Sequence, residues 1–232
     1  MSLKKSKFEL VNRGFSKTLV LISGWATDYR VFENLDLEYN YLFAKQFSYT
    51  NFNQELLDVL EQNKIERVSF FGWSQGAFLA TDFALKNPHK TDELFLLSVR
   101  KRYEKNSLRQ VKENLEKNKV ECLSKFYADC FSTFDNEGAG WFKKNLLNSY
   151  LKEMAIEDLI GGLDYLAFAE IKPELLGGFS KIKIFHGRLD RIAPFIEAQR
   201  IEEELRQATL IDFPKLGHNL FLNREFQERF SL

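Results

Sequence analysis

The 232-residue chain is 44% hydrophobic and 28% charged, and Lys plus Arg equals Asp plus Glu at 33 each. This size and apolar content suit one domain with a sizeable core, and the balanced charge gives no electrostatic reason to bind nucleic acid or a membrane surface. No apolar run is long enough to span a bilayer, and the positive charges of Met1–Lys7 are not followed by an apolar stretch of the secretory type. A cytoplasmic monomer is therefore expected. The two cysteines, Cys122 and Cys130, fall eight residues apart on one expected helix. A rise of about 1.5 Å per residue separates them by roughly 12 Å, too far for a disulfide. No metal-ligand spacing, phosphate-binding glycine loop or dinucleotide fingerprint occurs, so no cofactor and no metal are expected.

In chain order, Phe8–Val11 reads as an edge strand that turns at Asn12-Arg13-Gly14, and Thr18–Ile22 as a buried strand. A short helix near Tyr29–Leu35, a strand near Tyr39–Phe43 and an amphipathic helix over Gln54–Gln62 follow. Arg67–Phe71 is a β-branched and aromatic strand, Ala77–Lys86 a helix stopped by Asn87-Pro88, and Glu93–Leu97 the next strand. The alternation then stops until Ile182–Phe185, and Ala208–Phe213 is the last strand. Strand and helix alternating in this way indicate an α/β fold with a mostly parallel sheet. The region between is helical in pattern and too long for a connector. The expected organisation is a core of residues 1–99 and 178–232 with a helical cap, residues 100–177, inserted after the strand at 93–97.

Between the strand at 67–71 and the helix at 77–86 stands Gly72-Trp73-Ser74-Gln75-Gly76. A serine in G-x-S-x-G at a strand-to-helix corner sits on a tight turn with its hydroxyl exposed, the arrangement of the nucleophile in α/β-hydrolase folds. The acid and the histidine should follow in that order. Asp190 comes just past the strand at 182–185, with Pro194 opening the next helix, and His218 lies beyond the strand at 208–213. Ser74, Asp190 and His218 are thus the expected triad. Asp212 is a rival acid, but it falls inside the strand pattern. His89 reads as a solvated turn residue, and His186 as a strand-end residue satisfying a backbone group. The oxyanion donors are expected to be the backbone N–H groups of Gln75, next to the nucleophile, and Trp25, in the loop Ser23-Gly24-Trp25. Trp25 and Trp73 flank the nucleophile and are expected to line an apolar slot for substrate.

In the cap, Ser107-Leu-Arg-Gln110 has the form of a capping box and marks a helix start. Leu108, Val111, Leu115, Cys122, Phe126 and Cys130 recur at helical spacing and define a face that packs downward. From Arg100 to Lys125 there are nine Lys or Arg against four Glu. That run is either a solvated helix face or a docking surface for an acidic partner.

Ser23-Gly24-Trp25, the Gly72–Gly76 motif and the cap segment Ile160-Gly161-Gly162-Leu163-Asp164-Tyr165-Leu166 together resemble the pimeloyl-acyl-carrier-protein methyl ester esterases of biotin synthesis. The resemblance covers nearly the whole chain. It implies an α/β-hydrolase fold and hydrolysis of the methyl ester of a pimeloyl chain borne on acyl carrier protein, an acidic partner held by basic cap residues. It also implies that the helix around Cys122–Tyr127 faces carrier and acyl chain, with Lys125 in a basic role and Phe126 in an apolar one. Three departures stand out. Ser23 replaces a histidine found in many relatives, Gln46–Phe52 replaces a glycine-rich segment, and Glu121 stands where an arginine is usual. The last shifts the expected carrier contacts to Arg109, Lys112, Lys143 and Lys144. Two alternatives stay open: a generic carboxylesterase for small or medium-chain esters, and a non-catalytic hydrolase-fold binding protein.

Overall fold

In the computed structural model, which describes residues 7–230, a seven-stranded sheet is flanked by helices. Met1–Ser6, part of the N-terminal segment considered above, lie outside the described residues. The strands are β1 (Phe8–Val11), β2 (Thr18–Ile22), β3 (Asn40–Ala44), β4 (Val68–Trp73), β5 (Thr91–Leu97), β6 (Ile182–Gly187) and β7 (Ala208–Phe213), in the order β1-β3-β2-β4-β5-β6-β7. Only β1, at one edge, runs antiparallel to its neighbour. The chain moves from β2 outward to β3, then crosses back to place β4 on the other side of β2. The resulting switch point between β2 and β4 leaves a crevice at the C-terminal strand ends, where ligands bind in open α/β sheets.

Every residue of β2 and of β4 is buried, as expected of central parallel strands covered on both faces. Helices α1 (Phe52–Gln62) and α2 (Gln75–Lys86) follow β3 and β4, and α8 (Phe195–Glu204) and α9 (Arg224–Phe230) belong to the last third of the chain. Phenylalanine dominates one side of the core. Phe226 and Phe230 of α9 meet Phe185 of β6 at centroid distances of 5.2 and 5.4 Å, and Phe230 lies 4.7 Å from Phe95 of β5.

Between β5 and β6 run α3 (Lys105–Lys117), α4 (Lys119–Asp129), α5 (Asn136–Asn145), α6 (Leu147–Glu153) and α7 (Ile156–Leu166). Two expectations about this segment need correction. Ser107 is not a cap, because α3 already begins at Lys105 after Glu104. The side-chain cap stands instead at Asn118, whose Oδ1 accepts from the Glu121 N–H at 3.2 Å while its Nδ2 donates to the Glu121 carboxylate at 3.1 Å. Asn118 is extended (φ −155°, ψ 91°), so it breaks the single expected face into two. On α4 the buried residues are Leu123 and Tyr127, and Cys122 and Phe126 are only half-buried. Cys122 and Cys130 are both free thiols. Near the N-terminus, the short helix expected at 29–35 is a single 3-10 turn, Tyr29–Phe32, capped by the Asp28 carboxylate. Among the described residues no helix is long and apolar enough to cross a membrane.

Candidate active site

β4 ends at Trp73 and α2 begins at Gln75, which leaves Ser74 alone at the corner with φ 53° and ψ −112°. Non-glycine residues rarely occupy that region, and holding one there costs on the order of 1–3 kcal/mol. The corner is held by its surroundings. Ser74 N donates to Leu97 O at 2.8 Å, and Ala77 N donates to Ser74 O at 3.0 Å. Behind it, a Cβ on Gly76 would lie 2.2 Å from the Ile22 carbonyl oxygen, so α2 can start this close to β2 only without a side chain at that position. Gln75 is the first residue of α2, and its N–H is one of those a helix leaves without an internal partner.

Asp190 and His218 approach Ser74's side of the sheet from the loops after β6 and β7. Asp190 Oδ2 lies 2.7 Å from His218 Nδ1, and Asp190 Oδ1 accepts the N–H groups of Ile192 and Ala193 at 2.8 Å each. Burial alone would raise the Asp190 carboxyl, but the His218 and His186 imidazoles and the bonds from His218 and Ala193 outweigh it and hold it below the usual carboxylate range. Asp190, not Asp212, is therefore the carboxylate on His218; Asp212 pairs with Arg188 at 2.5 Å. His186 sends Nε2 to the Ala193 carbonyl at 2.7 Å and stands 3.4 Å from Asp190. Burial lowers its basicity, so its neutral form predominates under Asp190. His89 is exposed.

The His218 backbone is tied down from three directions. Its N–H donates to Cys130 O at 2.8 Å, and its carbonyl accepts from Ser98 Oγ at 2.6 Å and from Trp73 Nε1 at 3.0 Å. The side-chain Nε2 of His218 is buried without a hydrogen-bond partner. Ser74 Oγ meets the Tyr103 hydroxyl at 3.4 Å. A buried imidazole nitrogen left open, with its other nitrogen on a carboxylate, is suited to accept a proton from a serine hydroxyl.

A cleft of about 1180 Å³ lies on the β2 side of the corner and is lined by Ser23, Gly24, Trp25 and Gln75 but not by Ser74 itself. Trp25, Tyr29, Phe47, Tyr49, Met154 and Leu159 form its apolar surface. Its rim carries Glu9, Asp28, Glu153, Glu157 and Asp158 against only Arg30 and Lys45. Both cations are engaged, Arg30 by Asp28 and Glu153 at 2.9 Å each and Lys45 by Glu9 at 2.7 Å. Trp25 joins this cleft to the helical segment, its Nε1 donating to Leu159 O at 2.8 Å and its ring standing edge-on to Phe126 at 4.7 Å. The Gln75 side chain forms a second bridge, donating to Gly162 O at 2.9 Å and accepting from Tyr49 at 3.0 Å. A Cβ on Gly162 would come within 2.7 Å of the Trp25 ring, which accounts physically for a glycine at that point of α7. Tyr49, within the altered segment 46–52, stacks on Tyr165 at 4.8 Å.

Trp73 does not line this cleft and needs correction as a substrate-slot residue. It is fully buried, bonded to the His218 carbonyl, and packed on His218 and Phe221 at 5.5 and 5.1 Å. Its position on the strand turns the ring under the histidine rather than toward substrate. The basic residues expected to dock a carrier divide into two groups. Arg109 and Lys112 lie on α3 and Lys125 on α4, and these two helices pack together. Lys143 and Lys144 close α5, which packs on α6 and the turn at Leu220–Leu222. Lys112 is already paired with Asp164 at 3.1 Å. Tyr103, Tyr49 and the side chain of Gln75 were not singled out in the sequence. The one available signal for Tyr103 is its place a few residues past the C-terminal end of β5, the end at which open α/β sheets bind ligands.

A family profile described as alpha/beta hydrolase fold matches residues 23–150, more than half of the chain, and the chain belongs to that family. Within it, the chain is similar to pimeloyl-[acyl-carrier protein] methyl ester esterases. That of Nitrosomonas europaea is 28% identical over 188 residues, covering 76% of this chain and 73% of the relative, and that of Pectobacterium carotovorum is 24% identical, covering 88% of each. Among solved structures, an esterase from Exiguobacterium antarcticum superposes with a TM-score of 0.79 at 19% identity over 97% of this chain and 91% of that one. A bromoperoxidase from Bacillus anthracis superposes equally well, with a TM-score of 0.80 at 16% identity over 97% and 93%. An esterase and a bromoperoxidase on one fold mean that the fold alone does not select the chemistry.

Proposed function

We propose that this protein is a serine carboxylesterase that hydrolyses the methyl ester of a pimeloyl group carried on acyl carrier protein. The observation that carries the chemistry is the 2.7 Å bond from His218 Nδ1 to Asp190, with Nε2 of the same ring buried and without a hydrogen-bond partner. In this reading Ser74 Oγ attacks the ester carbonyl while His218 Nε2 takes its proton, and Asp190 steadies the imidazolium. The carbonyl π electrons move onto oxygen, which the N–H groups of Trp25 and Gln75 hold. Collapse breaks the bond to the alkoxy oxygen, which leaves as methanol with the proton from His218. Water then repeats the sequence and frees the acid. Trp25 and Phe126, in contact beside the cleft, serve the acyl chain. Arg109, Lys112, Lys125, Lys143 and Lys144 serve the carrier. Support for the particular substrate comes from the relatives so named and from the excess of basic residues between Arg100 and Lys125.

A carrier-independent carboxylesterase is the second reading. The acidic rim of the cleft and the pairing of Lys112 with Asp164 favour it, because both weaken attraction for an acidic partner.

The experiment compares methyl pimeloyl-carrier conjugate with the free methyl ester. Ser74→Ala should lower turnover of both by about 10⁴-fold or more; near wild-type rates would remove the serine mechanism. Reversing Arg109, Lys112 and Lys125 to Glu should raise KM for the conjugate by about tenfold and leave the free ester unchanged. Added salt should act in the same direction, since exposed charges are screened beyond about 8–10 Å. Equal response of both substrates withdraws the carrier and leaves the second reading.

A further inference from the structure

The sheet order places the loops after β2, β4, β5, β6 and β7 side by side. Trp25 belongs to the β2 loop, on one side of Ser74. Tyr103 follows β5, on the other side, and Asp190 and His218 come from β6 and β7 beyond it. This order assigns directions to an ester at Ser74. Its carbonyl oxygen faces the N–H groups on the β2 side. Its alkoxy oxygen has to face His218, which supplies the proton on departure. The alcohol part of the ester is therefore directed toward Tyr103, while the large cleft opens beside Trp25 and Gln75.

Tyr103 is held firmly in that place. Its hydroxyl contacts Ser74 Oγ at 3.4 Å, its ring lies 6.1 Å from Phe78, and the Arg100 guanidinium sits 4.7 Å over its face. Arg100 in turn donates to Arg102 O at 2.9 Å and reaches Ile192 O at 3.5 Å, in the segment whose backbone holds Asp190. We propose that Tyr103 closes the alcohol side of the site and restricts this enzyme to esters of small alcohols, methanol first among them. The inference rests on the esterase reading above and adds to it the residue that sets alcohol size. A methoxy group puts one carbon past the leaving oxygen, and each further methylene has to displace the phenol ring. Burial pushes the Tyr103 hydroxyl up to about 12, so it stays a neutral partner for Ser74 Oγ through the neutral range.

The test measures kcat/KM for methyl and n-butyl butyrate by acid release, in the wild type and in Tyr103→Ala, Tyr103→Leu and Tyr103→Phe, with thermal unfolding as a check on folding. The methyl-to-butyl ratio should fall by about tenfold or more in the Ala and Leu variants, the scale at which a pocket senses chain length. The Phe variant keeps the ring and should keep the wild-type ratio. An unchanged ratio in the folded Ala or Leu variant, with the wild type active, overturns the inference alone. A wild type that hydrolyses neither ester and fails to react with a serine-directed phosphonate overturns the esterase reading and this inference together.

Discussion

The turn that carries Ser74 and the loop that carries His218 are built by opposite means. Around Ser74 the determinants are adjacent in sequence or on the neighbouring strands: a strand end, a helix start, and Gly76 pressed on Ile22. The His218 loop draws much of its frame from a distant segment. Gly217 N donates to the Asp135 carboxylate at 3.0 Å, His218 N and Asn219 N donate to Cys130 O, and the Asn223 side chain donates to Asp135 at 2.6 Å. These partners lie more than 80 positions away, in the helical segment between β5 and β6. That segment is therefore tied to the loop by hydrogen bonds. It is part of what holds the histidine.

The contrast breaks most severely at the serine turn. Gly76→Ala puts a Cβ against a backbone carbonyl that cannot give way, and should destabilise the fold by about 3 kcal/mol or more. Chemical unfolding measures it, and a loss under about 1 kcal/mol would mean that α2 can move away from β2. At the loop, Asp135→Ala leaves the Gly217 N–H without its acceptor and the Asn223 amide with only the Leu220 carbonyl at 3.3 Å. The expected loss is about 2–4 kcal/mol of stability, together with a fall in kcat on a free ester of about tenfold or more as the imidazole drifts. Full activity in a destabilised variant would show that the loop keeps its geometry without the helical segment.

The smallest effect concerns pH. His186 has a folded basicity below its ordinary value of 6.5, so burial of its neutral ring contributes stability above that pH. This contribution is lost as pH falls through the lower folded value. Asp190 acts with the same sign at lower pH, below its ordinary 3.8. Asp135 is raised, chiefly by burial, and acts with the opposite sign. The thermal midpoint should therefore drop as pH is lowered from 6.5, and His186→Gln should make that drop shallower over the first unit or two. Parallel curves for variant and wild type would place the acid sensitivity in other groups.

By itself the sequence determined the α/β order of elements, the corner at Ser74, and the candidate acid and histidine at the ends of later strands. Each of these is a local property, set by apolar periodicity, by turn residues and by glycines in a short motif. Tertiary structure decided the rest. Trp73 ends β4 and Trp25 follows the adjacent β2, yet one ring lies under His218 and the other lines the cleft. Alternation could not separate them, because β4 is buried on both faces. Helical spacing carried one face through residues 108–130, and the single extended residue Asn118 divided it. Tyr103 beside Ser74, the Gln75 side chain across to Gly162 and Asp135 beneath the His218 loop are contacts between segments 29 to 88 residues apart. Sheet order and helix packing bring such pairs together, and no pattern confined to neighbouring residues records them.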